Sequence, residues 1–464
     1  MAMKIRSDLD LPTLRILLDP GRASFTEAVF QVVRGRDTPY EVIRCPVPEL
    51  GLPAAMTGLH PVEDRALTVP PNVLDALQRA VPGLGPSPLP PQSALWLEFP
   101  SPRGYLYVMP WERLLAPLGR SLFRLPDHLV RPQAPGQTLE VAICASAPLA
   151  KVPFVPPQIV EVLVRQYLEK TGRNVTVHVF TDENWYEQVR AVLQNFGGQT
   201  VVHEPATAAR YARPERTSRV GTSAQVSNPW LLWMRDATGG KPLDFVHFVS
   251  HGYLSGGRGA IAVASSPTLN TDRRWSRFIG AVEVNSFLSQ VGAWGLVLTG
   301  PAGNFSEAGL RELADCIALS RPGVTMAHRF EDDIDCTQFG WAMQTVVAPG
   351  SALDDPLPCV TCWVHPRFVD FPQEYEQDLH VNADGSSVFI TEPTKTALAG
   401  SETQAWVAAA TRFLETQQVR WLPDSPDVSA DPAAVTALGN VAALVEKHVN
   451  RSYPSGGTAQ GDDA

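Results

Sequence analysis

Phe245-Val246-His247-Phe248-Val249-Ser250-His251-Gly252 is a short, nearly unbroken apolar run that stops at a His-Gly pair. A run of this length, rich in aromatic and β-branched residues, reads as a buried strand. Such a strand fixes the backbone and carries His251 past its end, and Gly252 permits a sharp turn there. His247, inside the run, is expected to pack as a satisfied core residue.

Working outward, strands and helices alternate. Leu139–Cys144, Val175–Phe180, Ala260–Ala264, Leu296–Leu298 and Gly323–Ala327 read as strands. Gln158–Thr171, Asn184–Phe196, Val282–Val291, Phe305–Ser320 and Cys336–Val347 have helical spacing, the first with Ile159, Val162, Leu163, Gln166 and Tyr167 on one face. Strands separated by helices predict an α/β fold, a mostly parallel sheet with helices on both faces. Functional sites of such sheets lie beyond the carboxyl ends of the strands. His251 falls just past one end and Pro301 just past another.

The flanks read differently. Residues 1–80 form a β-rich N-terminal portion, with strands at Leu14–Leu18 and Phe30–Val33 and a short helix over Val73–Val81. Trp96–Phe99 and Tyr105–Val108 read as a hairpin. Residues 351–450 read as a small α+β portion, with a hairpin signal at Asn382-Ala383-Asp384-Gly385 and helices over 402–416 and 433–449. Residues 451–464 are polar and expected to be disordered.

Composition narrows the function classes. The chain has 464 residues, 44 % hydrophobic, with a formal net charge of −10. That supports a sizeable core, and the lack of a basic tract argues against nucleic-acid binding. No run of about 20 apolar residues is present, so no membrane span is predicted. The N-terminus lacks the continuous apolar run of a secretion signal. With 6 cysteines, sparse for this length, a cytoplasmic chain with reduced thiols is expected.

The strand ending in His251-Gly252 resembles the histidine motif of CHAT peptidases, a branch of the caspase-like hydrolases. Three more pieces fall in that family's order. Met109-Pro110-Trp111-Glu112-Arg113-Leu114 is similar to its Pro-Trp-Glu signature. Phe123 to Arg131 resembles the Leu-x-Arg stretch leading into the first core strand. Phe330 to Thr337, followed by Phe339, is similar to its Trp-x-Val-x-Asp-x-x-Thr stretch, with Phe330, Asp332 and Ile334 in place of the tryptophan, valine and aspartate. The resemblance covers roughly residues 85–350 and implies a caspase-like domain there. It also implies a bacterial defence or conflict setting and a protein partner: a protease, an effector or a switch protein.

The departure is at the nucleophile. The family carries Leu-Ser-Ala-Cys at a strand end, where this chain has Leu298-Thr299-Gly300-Pro301. Proline has no nucleophilic atom and no backbone N–H. The expectation is a catalytically inactive pseudopeptidase that binds a partner or peptide. His251, Gly252, Thr299, Gly300 and Pro301 would line the remnant cleft, joined by Asp332 and Asp333 of an acidic cluster that could hold a basic peptide. The rival is a hydrolase in which His251 activates Ser250, Thr299 or a displaced thiol such as Cys316. Ser306 reads as a helix N-cap. Cys359 and Cys362 form a CxxC without a motif-spaced fourth ligand and read as two buried thiols, so no metal and no cofactor is predicted.

Overall fold

A computed structural model describes residues 9–366, apart from 20–26, 36–37, 54–61, 101–102, 127–137, 149–153, 212–224, 269–275, 302–306, 322 and 349–354. The expected hairpin at 382–385, the helices over 402–416 and 433–449, the polar tail and the Ser306 cap lie outside the described residues.

The N-terminal strands are β1 (Pro12–Leu18), β2 (Glu27–Arg34) and β3 (Glu41–Pro46), followed by helix α1 (Pro71–Ala80) and strand β4 (Leu95–Glu98). A short helix α2 (Trp111–Leu114) and strand β5 (Leu122–Arg124) lead to β6 (Thr138–Ala145), α3 (Pro156–Lys170), β7 (Asn174–Thr181), α4 (Tyr186–Leu193) and β8 (Thr200–Val202). After α5 (Pro229–Ala237) and β9 (Phe245–Val249) come β10 (His251–Ser255), β11 (Arg258–Ala264) and β12 (Ser276–Gly280). The chain continues with α6 (Ala281–Gln290), β13 (Gly295–Gly300), α7 (Glu307–Ser320), β14 (Val324–Arg329), α8 (Thr337–Val347) and β15 (Val360–Trp363).

Twelve of these strands form one sheet in the order β3-β2-β1-β4-β5-β15-β14-β13-β9-β6-β7-β8. Pairing is antiparallel only at β1–β2, β2–β3 and β14–β15, so the sheet is mostly parallel and the fold is mixed α/β. The β-rich N-terminal strands extend this same sheet. Alternation along the strands sorts the core into two faces. Phe245, Val249, Val297 and Met326 pack against α3, α4 and α8. Val246, Phe248, Leu296 and Leu298 pack against α5, α6 and α7.

From β6 the chain steps one way to β7 and β8, then returns across β6 to β9 and continues to β13 and β14. The helices change face at the same point. The sheet therefore has a topological switch point between β6 and β9, the place where open α/β sheets carry their binding sites. His251 sits immediately past β9 at that point.

Beyond it, β10, β11 and β12 form a small antiparallel sheet. Gly256 and Gly257, at φ 57° and 74°, make the tight turn between β10 and β11. Gly252 is not the turn expected at that position: it lies within β10, opposite Ile261. The small sheet meets α7 backbone to backbone. A Cβ on Gly309 would come 2.5 Å from the Tyr253 carbonyl oxygen, and one on Gly259 would come 2.0 Å from that of Gly309.

The expected hairpin at 96–108 is half right. Trp96–Glu98 lies in β4, but Leu106–Val108 is a 3-10 turn. Its carbonyls are taken by side chains instead of a ladder: Trp111 Nε1 donates to Leu106, Arg124 to Tyr107 and Met109, and Arg311 to Val108. A segment whose acceptors are satisfied this way gains nothing from pairing in a sheet.

Arg124 also joins two of the motifs. Its guanidinium grips the Glu112 carboxylate at 2.8 and 2.9 Å with neither side chain more than 3 % exposed, and Thr361 of β15 donates to the same carboxylate. The Pro-Trp-Glu stretch and the start of the Leu-x-Arg stretch thus meet at the β5–β15 seam, where the N-terminal strands join the rest of the sheet.

Candidate functional site

β9 and β13 pair in parallel, with Phe248 opposite Leu298 and Val249 opposite Thr299. The Ser250 N–H then donates to the Thr299 carbonyl at 3.2 Å. His251 and Pro301 therefore leave the ends of two adjacent strands at the same level of the sheet. Both are buried. The His251 ring stands edge-on to Phe154, with centroids 5.5 Å apart. Ser146, at the end of β6, completes the rim. Its N–H donates to Val249, and its hydroxyl accepts from the Ala264 N–H at 2.8 Å.

No cysteine lies on β9 or β13. Cys144 ends β6 on the face that buries Phe248. Cys316 sits on α7 and donates to Glu312 Oε1 at 3.0 Å. Burial pushes every thiol up, Cys45 and Cys359 to about 11 and the other four further. A thiol nucleophile needs a lowered pKa and an electropositive setting, whereas all six are raised by burial and a nearby carboxylate. Cys359 and Cys362 are two buried thiols, as read from the sequence. Among the described residues, no group of three or more His, Cys, Asp or Glu side chains is placed to hold a metal ion.

The candidate hydroxyls are engaged elsewhere or unpaired. Ser250 Oγ is buried and meets no hydrogen-bond partner among the described residues, so it is not bonded to His251. Thr299 points to the opposite partners, in the middle of a buried polar chain. Its Oγ1 lies 2.7 Å from His247 Nε2 and 3.1 Å from His328 Nδ1. His247 Nδ1 meets the Tyr167 hydroxyl at 3.2 Å, and His328 Nε2 meets Asp333 Oδ2 at 3.2 Å. Asp333 also accepts the Phe339 N–H at 3.0 Å and so anchors the start of α8.

The protons in this chain follow one direction. Burial alone would raise Asp333, but His328 together with the Phe339 and Gln338 amides outweighs it and holds the carboxyl below the usual carboxylate range. Burial, with His328 nearby, keeps His247 well below the ordinary imidazole range, and burial keeps the Tyr167 phenol protonated. With each ring carrying one proton, Tyr167 donates to His247, His247 to Thr299, Thr299 to His328 and His328 to Asp333. Every donor has an acceptor. Thr299, His247 and His328 are at most 2 % exposed, and Phe339 packs over both rings at 5.3 and 5.5 Å. The chain thus clamps β9, β13 and β14 together beneath the strand ends, with α3 and α8 at its two ends. His247 holds the satisfied core role its place in the apolar run predicts; no local pattern marks His328, whose importance comes only from its register opposite Thr299.

A second cluster lies on the other face. Arg311 of α7 grips Asp64 at 2.6 and 2.8 Å. Glu307 lies 3.6 Å from Arg311 and 3.1 Å from Arg329, which also meets Asp332 at 2.8 Å. Burial alone would raise Asp64, but Arg311 outweighs it and holds Asp64 at about 2. Burial, and then the adjoining Asp64, push Glu307 up to about 8. A carboxyl whose pKa rises from 4.5 to about 8 on folding binds more protons in the native state across that window. Its contribution is therefore complete below the lower value and is lost as pH rises through the upper one. Glu307→Gln is expected to flatten the decline in stability between those limits and to exceed the parent in stability above them, as read by urea unfolding at a series of pH values.

The site residues read from the sequence thus separate. His251, Gly252, Gly300 and Pro301 gather at the strand ends. Thr299 is turned into the polar chain. Asp333 is turned inward to His328, and Asp332 is paired with Arg329. No helix among the described residues is long and apolar enough to cross a membrane. Comparison with known protein families and with curated proteins finds no match for this chain.

Proposed function

We propose that the chain is a non-catalytic relative of the CHAT peptidases, a pseudopeptidase whose strand ends around His251 and Pro301 receive a partner protein or peptide. One observation carries the reading: Pro301 is buried at the end of β13, level with the His251 end of β9 at the switch point. At that place a cysteine–histidine hydrolase needs a thiolate, and proline supplies neither a nucleophile nor an amide donor for an oxyanion. The elevated thiols and the engagement of Thr299 support the same reading. The four motifs support the kinship, and through it a protein partner in a bacterial defence or conflict setting.

The test is incubation of the protein with a broad peptide library and with candidate partners, beside His251→Ala. Capture of a partner without cleavage is expected. Cleavage that disappears in His251→Ala would establish a hydrolase and overturn the proposal.

A further inference from the structure

Three guanidiniums gather beside the end of β13, and their surroundings do not balance them. Arg311 is matched by Asp64 and Arg329 by Asp332. Arg113 gives one N–H to the backbone carbonyl of Asp64 and forms no ion pair among the described residues. The remaining carboxyl, Glu307, holds its proton at neutral pH. The hydrogen bonds show the same deficit independently. Arg113 Nε and Arg329 Nε and Nη1 are buried without an acceptor among the described residues, and Glu307 Oε2, though 3.1 Å from Arg329 Nε, is not aligned with it. Unmet guanidinium N–H groups are costly, and their fork geometry matches a planar carboxylate.

Position ties this deficit to the strand ends. Arg329 pairs in register with Gly300, the residue before Pro301. Arg329 and Arg113 are both partly exposed.

We propose that Arg113 and Arg329 form the receiving site for a carboxylate side chain on an acidic segment of the partner. The charge preference is the reverse of the basic peptide expected from Asp332 and Asp333, because both of those carboxylates are already engaged inside the protein. The inference rests on the partner-binding reading and names the chemistry of that partner.

The test titrates the full chain with a blocked Ala-Asp-Ala tripeptide, its Ala-Asn-Ala counterpart and sodium sulfate, at constant ionic strength, while the thermal midpoint is followed. The aspartyl peptide is expected to raise the midpoint by roughly 2 °C at about ten times its Kd, and the asparaginyl peptide to leave it unchanged. Arg329→Met and Arg113→Met are each expected to abolish the rise. Arg113 lies on the short helix α2 outside the sheet, so its variant keeps the test open if Arg329→Met does not fold. No rise with the aspartyl peptide overturns the inference, as does a rise that survives Arg113→Met. A rise with sulfate alone, marking a free-anion site, also overturns it. Partner capture is measured separately, so failure here is distinguishable from failure of the partner-binding reading.

Discussion

Arg124→Met is expected to destabilise the protein by about 3–5 kcal/mol, the range for breaking a buried ion pair by removing one partner. The substitution leaves the Glu112 carboxylate buried with Thr361 as its remaining donor, and it removes the guanidinium donors from the Tyr107 and Met109 carbonyls, of which Met109 keeps the Trp111 N–H. Methionine approximates the volume of the arginine stem, so the loss reports charge and hydrogen bonding more than a cavity. The guanidinium carbon also lies 4.8 Å from the Trp363 ring and 5.2 Å from that of Phe99, contacts that methionine partly keeps. Denaturant unfolding measures the loss. The double variant Glu112→Gln/Arg124→Met should recover part of it, because the stranded charge is then gone. A single variant within about 1 kcal/mol of the parent would mean that the β5–β15 seam does not depend on this pair.

Thr299→Val is expected to cost about 2–4 kcal/mol, from two buried imidazole nitrogens left without partners. Valine has nearly the shape of threonine, so packing changes little. What is lost is the acceptor for the His247 Nε2–H and the donor to His328 Nδ1. Thr299→Ser keeps the hydroxyl and gives up one methyl group, so it should cost only about 1 kcal/mol. The comparison isolates the hydroxyl. Equal losses for valine and serine would reduce the polar chain to ordinary packing. A loss confined to valine makes Thr299 a structural clamp and removes it from the list of candidate nucleophiles.

The alternation of strand and helix was legible because β6, β7, β13 and β14 are apolar-rich runs each followed by a segment with helical spacing, and β9 is a nearly unbroken apolar run ending at His251-Gly252. That rhythm is enough to predict a mostly parallel sheet and to place His251 and Pro301 at its carboxyl ends. Short or polar elements were not legible. The strand β8 has three residues, β3 is largely exposed, and α5 follows a stretch rich in helix breakers. The buried charge clusters were invisible for a different reason. Asp64 and Arg311 are 247 positions apart, as Glu112 and Thr361 are 249, and no local pattern links such partners. The acidic run at 331–335 misled for another reason: Arg329 and His328 stand close by in the chain, but only the fold turns them onto Asp332 and Asp333.

The central claim is that position 301 faces the histidine where a catalytic thiol would stand. Installing the thiol tests it. In Pro301→Cys, the rate of alkylation by iodoacetamide at neutral pH is compared with that in Pro301→Cys/His251→Ala, over a low background because five of the six native thiols are buried and all six are held protonated. An imidazole within reach should lower the new thiol's pKa and speed its reaction about tenfold or more relative to the double variant. Equal rates in the two variants would place His251 out of reach of residue 301 and contradict the account.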